Sequence, residues 1–319
     1  MILRPPSISR STSGAALLAV LWVVTLLITL VAATALLITQ DVDAAASKRQ
    51  IFRSRMLAET ALAIAMNPDV QPDEPLLRRQ FSDDERYEVH MTGEDGLINP
   101  NMLLQREDRE TFRRIFRNWG LSLPQCDAVI DCLLDWVDGD DFKHINGAES
   151  KAYGNNGMPF NRPFRSVEEM GMVRGMELVE KAYPEWRSWF SVYASGQLDI
   201  SEAKPEIVSL FTGADMGRTQ NLQKQFAGFD GIRYTEDDPP EGSIGLEQAL
   251  NILGIPTTSA AQLSSILSVT SPTKRIVVRV QVGDLKREVA AVIRGAIGKG
   301  ATTILFLQES NPSESENGR

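Results

Sequence analysis

The sequence predicts an α+β fold: a long N-terminal helix packed on an antiparallel sheet, with helical segments between the strands. Three observations carry the prediction. An apolar run over residues 15–39 passes, without glycine or proline, into helix-forming residues that reach Met66. Alternating, β-branched segments stand at both ends of the folded part, over 86–92 and again from Arg275 onward. The chain between them repeats its apolar residues at helical spacing.

The N-terminal element comes first. Residues 1–14 carry Arg4 and Arg10 and no acidic residue, and no charge follows until Asp41. About 20 apolar helical residues cross a bilayer core, so the run is long enough to span one. The positive-inside rule leaves the basic end in the cytoplasm and the bulk of the chain in the periplasm. An ordinary signal peptide has a shorter apolar region followed by a small-residue cleavage site, which residues 32–35 could mimic. A plain single-span anchor is the bland reading. The third reading is one continuous helix over 15–66, roughly 75 Å long, with Ile51, Phe52, the stem of Arg55, Leu57, Leu62 and Ile64 as its packing face.

Pro68, Pro72 and Pro75 end that helix. Residues 86–92 form a strand with Tyr87, Val89 and Met91 on one face, and 93–96 form a turn. A helix is expected over 102–119, with Phe112, Ile115, Phe116 and Trp119 on one side and Gly120 closing it. Pro124 opens the next helix. Asp95 to Asn101 echoes Ser195 to Ser201, and Asp199 or Ser201 is expected to cap a helix through Phe211. Trp186, Trp189 and Tyr193 read as core rather than as a binding patch. Residues 226–243 read as a loop, 246–253 and 260–267 as short helices, and 275–282, 287–294 and 302–307 as antiparallel strands. The polar tail, 309–319, is expected to fray.

The 319 residues leave room for two modest domains, and the net charge of −9 opposes a role in coating nucleic acid, which needs clustered Lys and Arg. Cys126 and Cys132 are too few for a disulfide framework. Their spacing puts them on different helix faces, so unpaired thiols are favoured over a bridge, which would require the helix to break. His90 and His144 are isolated and support no nucleophilic triad.

The densest chemistry is Asp135, Asp138, Asp140 and Asp141 at the end of a helix, followed by Glu149. The helix dipole is negative there and the carboxylates repel one another, so a bound cation would resolve both costs. Oxygen donors without His or Cys clustering favour Ca²⁺ over zinc. Asp138, Asp140 and Glu149 have the first, third and twelfth spacing of an EF-hand loop, but Phe142 and Lys143 break that pattern. The bland alternative is a solvated acidic turn.

Two stretches carry a resemblance. Gly14 followed by Ala15-Ala16-Leu17-Leu18-Ala19-Val20-Leu21-Trp22 resembles the prepilin peptidase site of pilins and pseudopilins, which implies cleavage between Gly14 and Ala15. Most of that family has glutamate at the fifth mature position, where this chain has Ala19. That carboxylate is thought to pair with the terminal amine of a neighbouring subunit, and without a partner it is costly in lipid. An apolar residue there suits a subunit with nothing above it. The run Leu133 to Asp141, then Gly147-Ala148-Glu149, Tyr153, Arg162 to Met170 and Val173 to Met176, resembles the protein K family of type II secretion minor pseudopilins. That resemblance implies a pilin-like head with an inserted, sterile-alpha-motif-like helical domain that binds calcium, with Asp138, Asp140, Asp141 and Glu149 as candidate ligands and Asp135 in a capping or orienting role.

It implies a non-enzymatic subunit at the tip of a periplasmic pseudopilus, acting in its assembly and in protein export. The expected partners are the I and J type minor pseudopilins, the major pseudopilin, prepilin peptidase, inner-membrane lipid, and secreted cargo or the outer-membrane secretin. The chain then divides into a leader (1–14), a membrane-embedded half-helix (15–40), the first part of the head (41–96), the helical insert (97–270), the closing strands (271–308) and the tail. Two rivals stand beside it: a type IV pilus or competence minor pilin, and a membrane-tethered hydrolase using a metal at Asp138, Asp140 and Asp141, for which the sequence supplies no substrate pocket.

Overall fold

The computed structural model describes residues 12–67, 69–240, 242–256, 263–295 and 302–310, with backbone alone for 12–15 and 35–43. Helix α1 runs unbroken over Thr12–Ala65. Gly14 and Ala15 lie within its first turns; their side chains and residues 1–11 of the expected leader lie outside the described residues. Ala16–Thr34 is long and apolar enough to cross a membrane. Its threonines return their hydroxyls to the helix: Thr25 donates to the Trp22 carbonyl at 2.9 Å, Thr29 to Leu26 at 2.8 Å and Thr34 to Val31 at 2.9 Å. These three hydroxyl hydrogens are thereby kept from the hydrocarbon.

Beyond the apolar span, α1 packs on the sheet through Leu57, Ala58, Ala61 and Ala65. This corrects part of the expected packing face, of which Leu57, Leu62 and Ile64 do pack against the sheet core. Ile51 and Phe52 are 50% and 66% exposed, and Arg55 is exposed too, because small alanines let the helix backbone lie close to the sheet. The sheet comprises β1 (Arg78–Ser82), β2 (Glu85–Gly93), β5 (Thr273–Val282), β6 (Leu285–Arg294) and β7 (Thr303–Ser310), antiparallel in the order β1-β2-β5-β6-β7. Tyr87, Val89 and Met91 alternate inward, as expected, and meet Ile276, Val278 and Val280 under the helix. The β5–β6 hairpin turns at Gly283, whose φ of +60° suits glycine. The exposed edge strand β1 was not foreseen, since its residues lack alternation.

Strands β2 and β5 pair from Glu85↔Val282 to Gly93↔Lys274, and the chain between them forms a second unit with its own core. That unit comprises α2 (Pro100–Gln105), α3 (Arg109–Asn118), α4 (Leu123–Val137), α5 (Val167–Met170), α6 (Met176–Ala182), β3 (Leu198–Asp199), α7 (Pro205–Thr212), α8 (Met216–Phe226), α9 (Leu246–Leu253) and β4 (Leu267–Ser268). The expected helix over 102–119 is broken in two: Glu107 takes φ +50° and Asp108 caps α3 through the Thr111 amide at 3.0 Å. Neither Asp199 nor Ser201 caps α7. Asp199 accepts instead from the Ser201 amide at 2.9 Å and hydroxyl at 2.6 Å. The helix expected over 260–267 lies partly outside the described residues, and Leu267 pairs with Leu198 in a short parallel bridge. Trp186 and Trp189 are fully buried in the core, as expected. Cys126 and Cys132 are both free and buried.

Candidate metal centre

The site grows from the last turn of α4. Ser122 and Gln125 form a capping box at its start, and Val129, Ile130, Leu133 and Trp136 drive one face into the core. The same packing carries Asp131, Asp135 and Asp138 along an adjacent line, because residues three and four apart share a helix face. Asp131 is satisfied by Arg109 at 2.6 Å and by the Asn146 amide and side chain at 3.0 and 3.1 Å. Burial raises its pKa, but Arg109 and Asn146 outweigh that and the net shift is downward.

One turn on, satisfaction fails. Asp135 is fully buried; its Oδ1 accepts from the His144 amide at 3.0 Å and touches the His144 ring Nδ1, while its Oδ2 has no partner. Asp138 Oδ1 and both carboxylate oxygens of Glu149 are buried and unpaired as well. Burial, then the neighbouring carboxylates, push Glu149 up to about 7 and raise Asp138. Asn161 sits in a left-handed backbone position at φ +49°, donates to the Asp140 carbonyl at 3.3 Å, and also buries an unpaired amide oxygen. A Cβ at Gly147 would collide with Asp135 Oδ2, so only glycine lets the loop close over that oxygen.

Asp135, Asp138 and His144 each offer a ligand atom within 4.8 Å of the others. Buried acceptors without donors are rare in proteins, and several at one place call for an explanation. Carboxylate and amide oxygens are the donor set of a hard cation and fit Ca²⁺; the His144 ring, in contact with Asp135, orients that carboxylate.

Of the sequence-predicted ligands, the fold brings Asp138 and Glu149 to this place. Asp140 and Asp141 stay at its exposed rim, and Asp140 Oδ1 accepts from the Phe142 amide at 2.8 Å. Asp135 does more than cap, His144 is not isolated, and Asn161 was missed. The i, i+3 spacing of Asp135 and Asp138 could have signalled the first; nothing in the sequence signals Asn161, which arrives on a distant loop. That loop is braced by Glu169, whose carboxylate accepts from Trp136 Nε1 at 3.0 Å, Arg162 at 3.1 Å and the Arg165 amide at 3.2 Å.

Residues 96–194 match the family described as Type II secretion system (T2SS), protein K. That segment, about a third of the chain, is what is similar to the family. The matched segment contains α4, the acidic loop and the Glu169 brace, so the observed contacts give a physical reason for the motifs that carried the resemblance. The whole fold is similar to a solved structure described as the GspK-GspI-GspJ complex from the enterotoxigenic Escherichia coli type 2 secretion system. The TM-score is 0.58 at 16% identity, over 83% of this chain and 96% of that one. No curated protein matches the chain by sequence. The chain is therefore a minor pseudopilin of type II secretion, and the type IV pilus and competence alternatives give way.

Proposed function

We propose that this chain is the tip subunit of a periplasmic pseudopilus, where it starts assembly and carries the helical domain outward toward cargo or the outer-membrane secretin. The observation that carries the reading is Ala19: within an apolar, exposed span, the chain has no carboxylate with which to hold a subunit above it. Partners pack from the side and below. Ile51, Phe52 and Met56, exposed on the part of α1 beyond the apolar span, offer that contact to I and J type minor pseudopilins and to the major pseudopilin. The chain is anchored once in the inner membrane, with its N-terminus cytoplasmic. Prepilin peptidase cuts after Gly14, and the new Ala15 amine is methylated. The acidic loop holds Ca²⁺ through Asp135, Asp138 and Glu149, with Asn161 from the facing loop and Asp140 and Asp141 contributing charge. The ion is structural and the chain is not an enzyme.

Immunogold labelling of pseudopili carrying an epitope on this chain tests the tip assignment. Label confined to one filament end is expected, and label along the shaft would overturn it. Intact mass of the membrane form reads cleavage and methylation together; Gly14→Val is expected to keep the leader, and normal processing of that variant would remove the peptidase from the account.

A further inference from the structure

A cleft of about 550 Å³ opens between the turn after α1 at Gln71, the end of β2 at Gly93 and the strap formed by residues 233–240. It is separate from the acidic loop, and its volume is in the range that encloses a small ligand. The strap is held rigidly. Tyr234 adopts φ +67°, a left-handed conformation uncommon for a non-glycine residue. Its hydroxyl donates to Glu202 at 2.5 Å and accepts from the Gly93 amide at 3.3 Å, and its own amide donates to Asp238 Oδ2 at 2.6 Å. Arg233 donates to Glu202 at 2.8 Å and to Asp238 Oδ2 at 3.3 Å while lying over the Phe226 ring.

This wall leaves one buried donor, Arg233 Nε, unpaired, and acceptors as well. Asp238 Oδ1 is buried without a partner, and both bonds received by Asp199, on the cleft floor, fall on Oδ1. Burial, with added repulsion from Glu202 and Asp95, pushes Asp199 up to about 7. Carboxylates at Asp73, Asp199, Glu202, Glu236 and Asp238 outnumber the cations Arg233 and Lys274 around the cleft. Phe226, Met91 and Pro240 supply apolar wall. A compact divalent ion is disfavoured, because the Arg233 guanidinium stands among the carboxylates and Glu202 has both oxygens bonded. A cation at the end of a hydrocarbon stem satisfies acid and apolar wall together. We infer that this cleft receives a basic side chain, arginine or lysine, carried on an extended segment of a partner protein.

The test uses the full chain in detergent micelles with saturating calcium, and a dye-labelled five-residue peptide with a central arginine flanked by serine and glycine. Anisotropy is expected to show about tenfold tighter binding than for the peptide with central glutamine, the effect of one charge-assisted hydrogen bond. Asp199→Asn, independently of the strap, is expected to remove most of that difference at unchanged melting temperature; Asp238→Asn is expected to remove it too, with a lower melting temperature because it also uncouples Arg233. Glu247→Gln on α9 keeps it. Equal binding of the two peptides, full discrimination in both Asp variants, or displacement of the arginine peptide by further calcium would each overturn the inference.

Discussion

Two of the groups of buried carboxylates among the described residues are built on opposite plans. At the junction of sheet and helical unit, Asp95 accepts from the Ser195 amide, from the Ser271 hydroxyl at 2.9 Å and from the Thr273 amide at 3.0 Å. Beside it Glu94 takes both arms of Arg275 at 2.7 Å and the Ser191 hydroxyl. Residues from β5 and from the helical unit thus meet on two adjacent acids, and the chain supplies every donor. At the acidic loop, Asp135, Asp138 and Glu149 leave four buried oxygens with no donor at all. A buried carboxylate is either compensated by donors or neutralised by a proton, so the joint is complete as folded and the loop is not.

The largest effect is expected at the joint. Arg275→Met strands the Glu94 charge and should cost about 3 kcal/mol in denaturant unfolding of the full chain in detergent, whether calcium or EDTA is present. A loss that calcium restores would mean the two sites are not independent. Next comes the loop. Calcium at a hundredfold excess over its dissociation constant should stabilise the fold by about 2.7 kcal/mol. Glu149→Gln should remove most of that gain, yet melt no lower than the parent in EDTA, since it discards a repelled charge. A variant that melts lower in EDTA would show that Glu149 has a protein partner.

The pH dependence has the corresponding sign. Glu149 rises from 4.5 to about 7 on folding, so the folded state binds the extra proton. Its contribution is favourable below about pH 4.5 and is lost as pH climbs through 7. Metal-free protein should therefore melt higher at pH 5 than at pH 8, and calcium should flatten or reverse that slope by replacing the proton. The smallest effect is expected at the rim: Asp141→Asn should weaken calcium binding only a few-fold, the influence of one exposed charge. A loss as large as that of Glu149→Gln would place Asp141 on the metal.

What the sequence made legible follows from range. The long helix, β2 and the closing strands are local patterns, and apolar period alone located them. The packing face of α1 was half read: Leu57, Leu62 and Ile64 pack as expected, but Ile51 and Phe52 were chosen for size, whereas Ala58, Ala61 and Ala65 are buried through their smallness. The break at Glu107 escaped because no glycine or proline marks it. At the candidate metal centre, Asp138 and Glu149 were visible as unfavourable charge near a helix end. His144 and Asn161 depend on how two loops fold back, which no spacing encodes.

The account rests on the claim that the unpaired oxygens of the acidic loop are filled by a cation. Isothermal titration of calcium into the full chain, stripped with EDTA and held in detergent, measures this directly. Saturable binding that is lost in Glu149→Gln and kept in Arg275→Met is predicted. Heats indistinguishable from buffer dilution in the folded parent protein would contradict it.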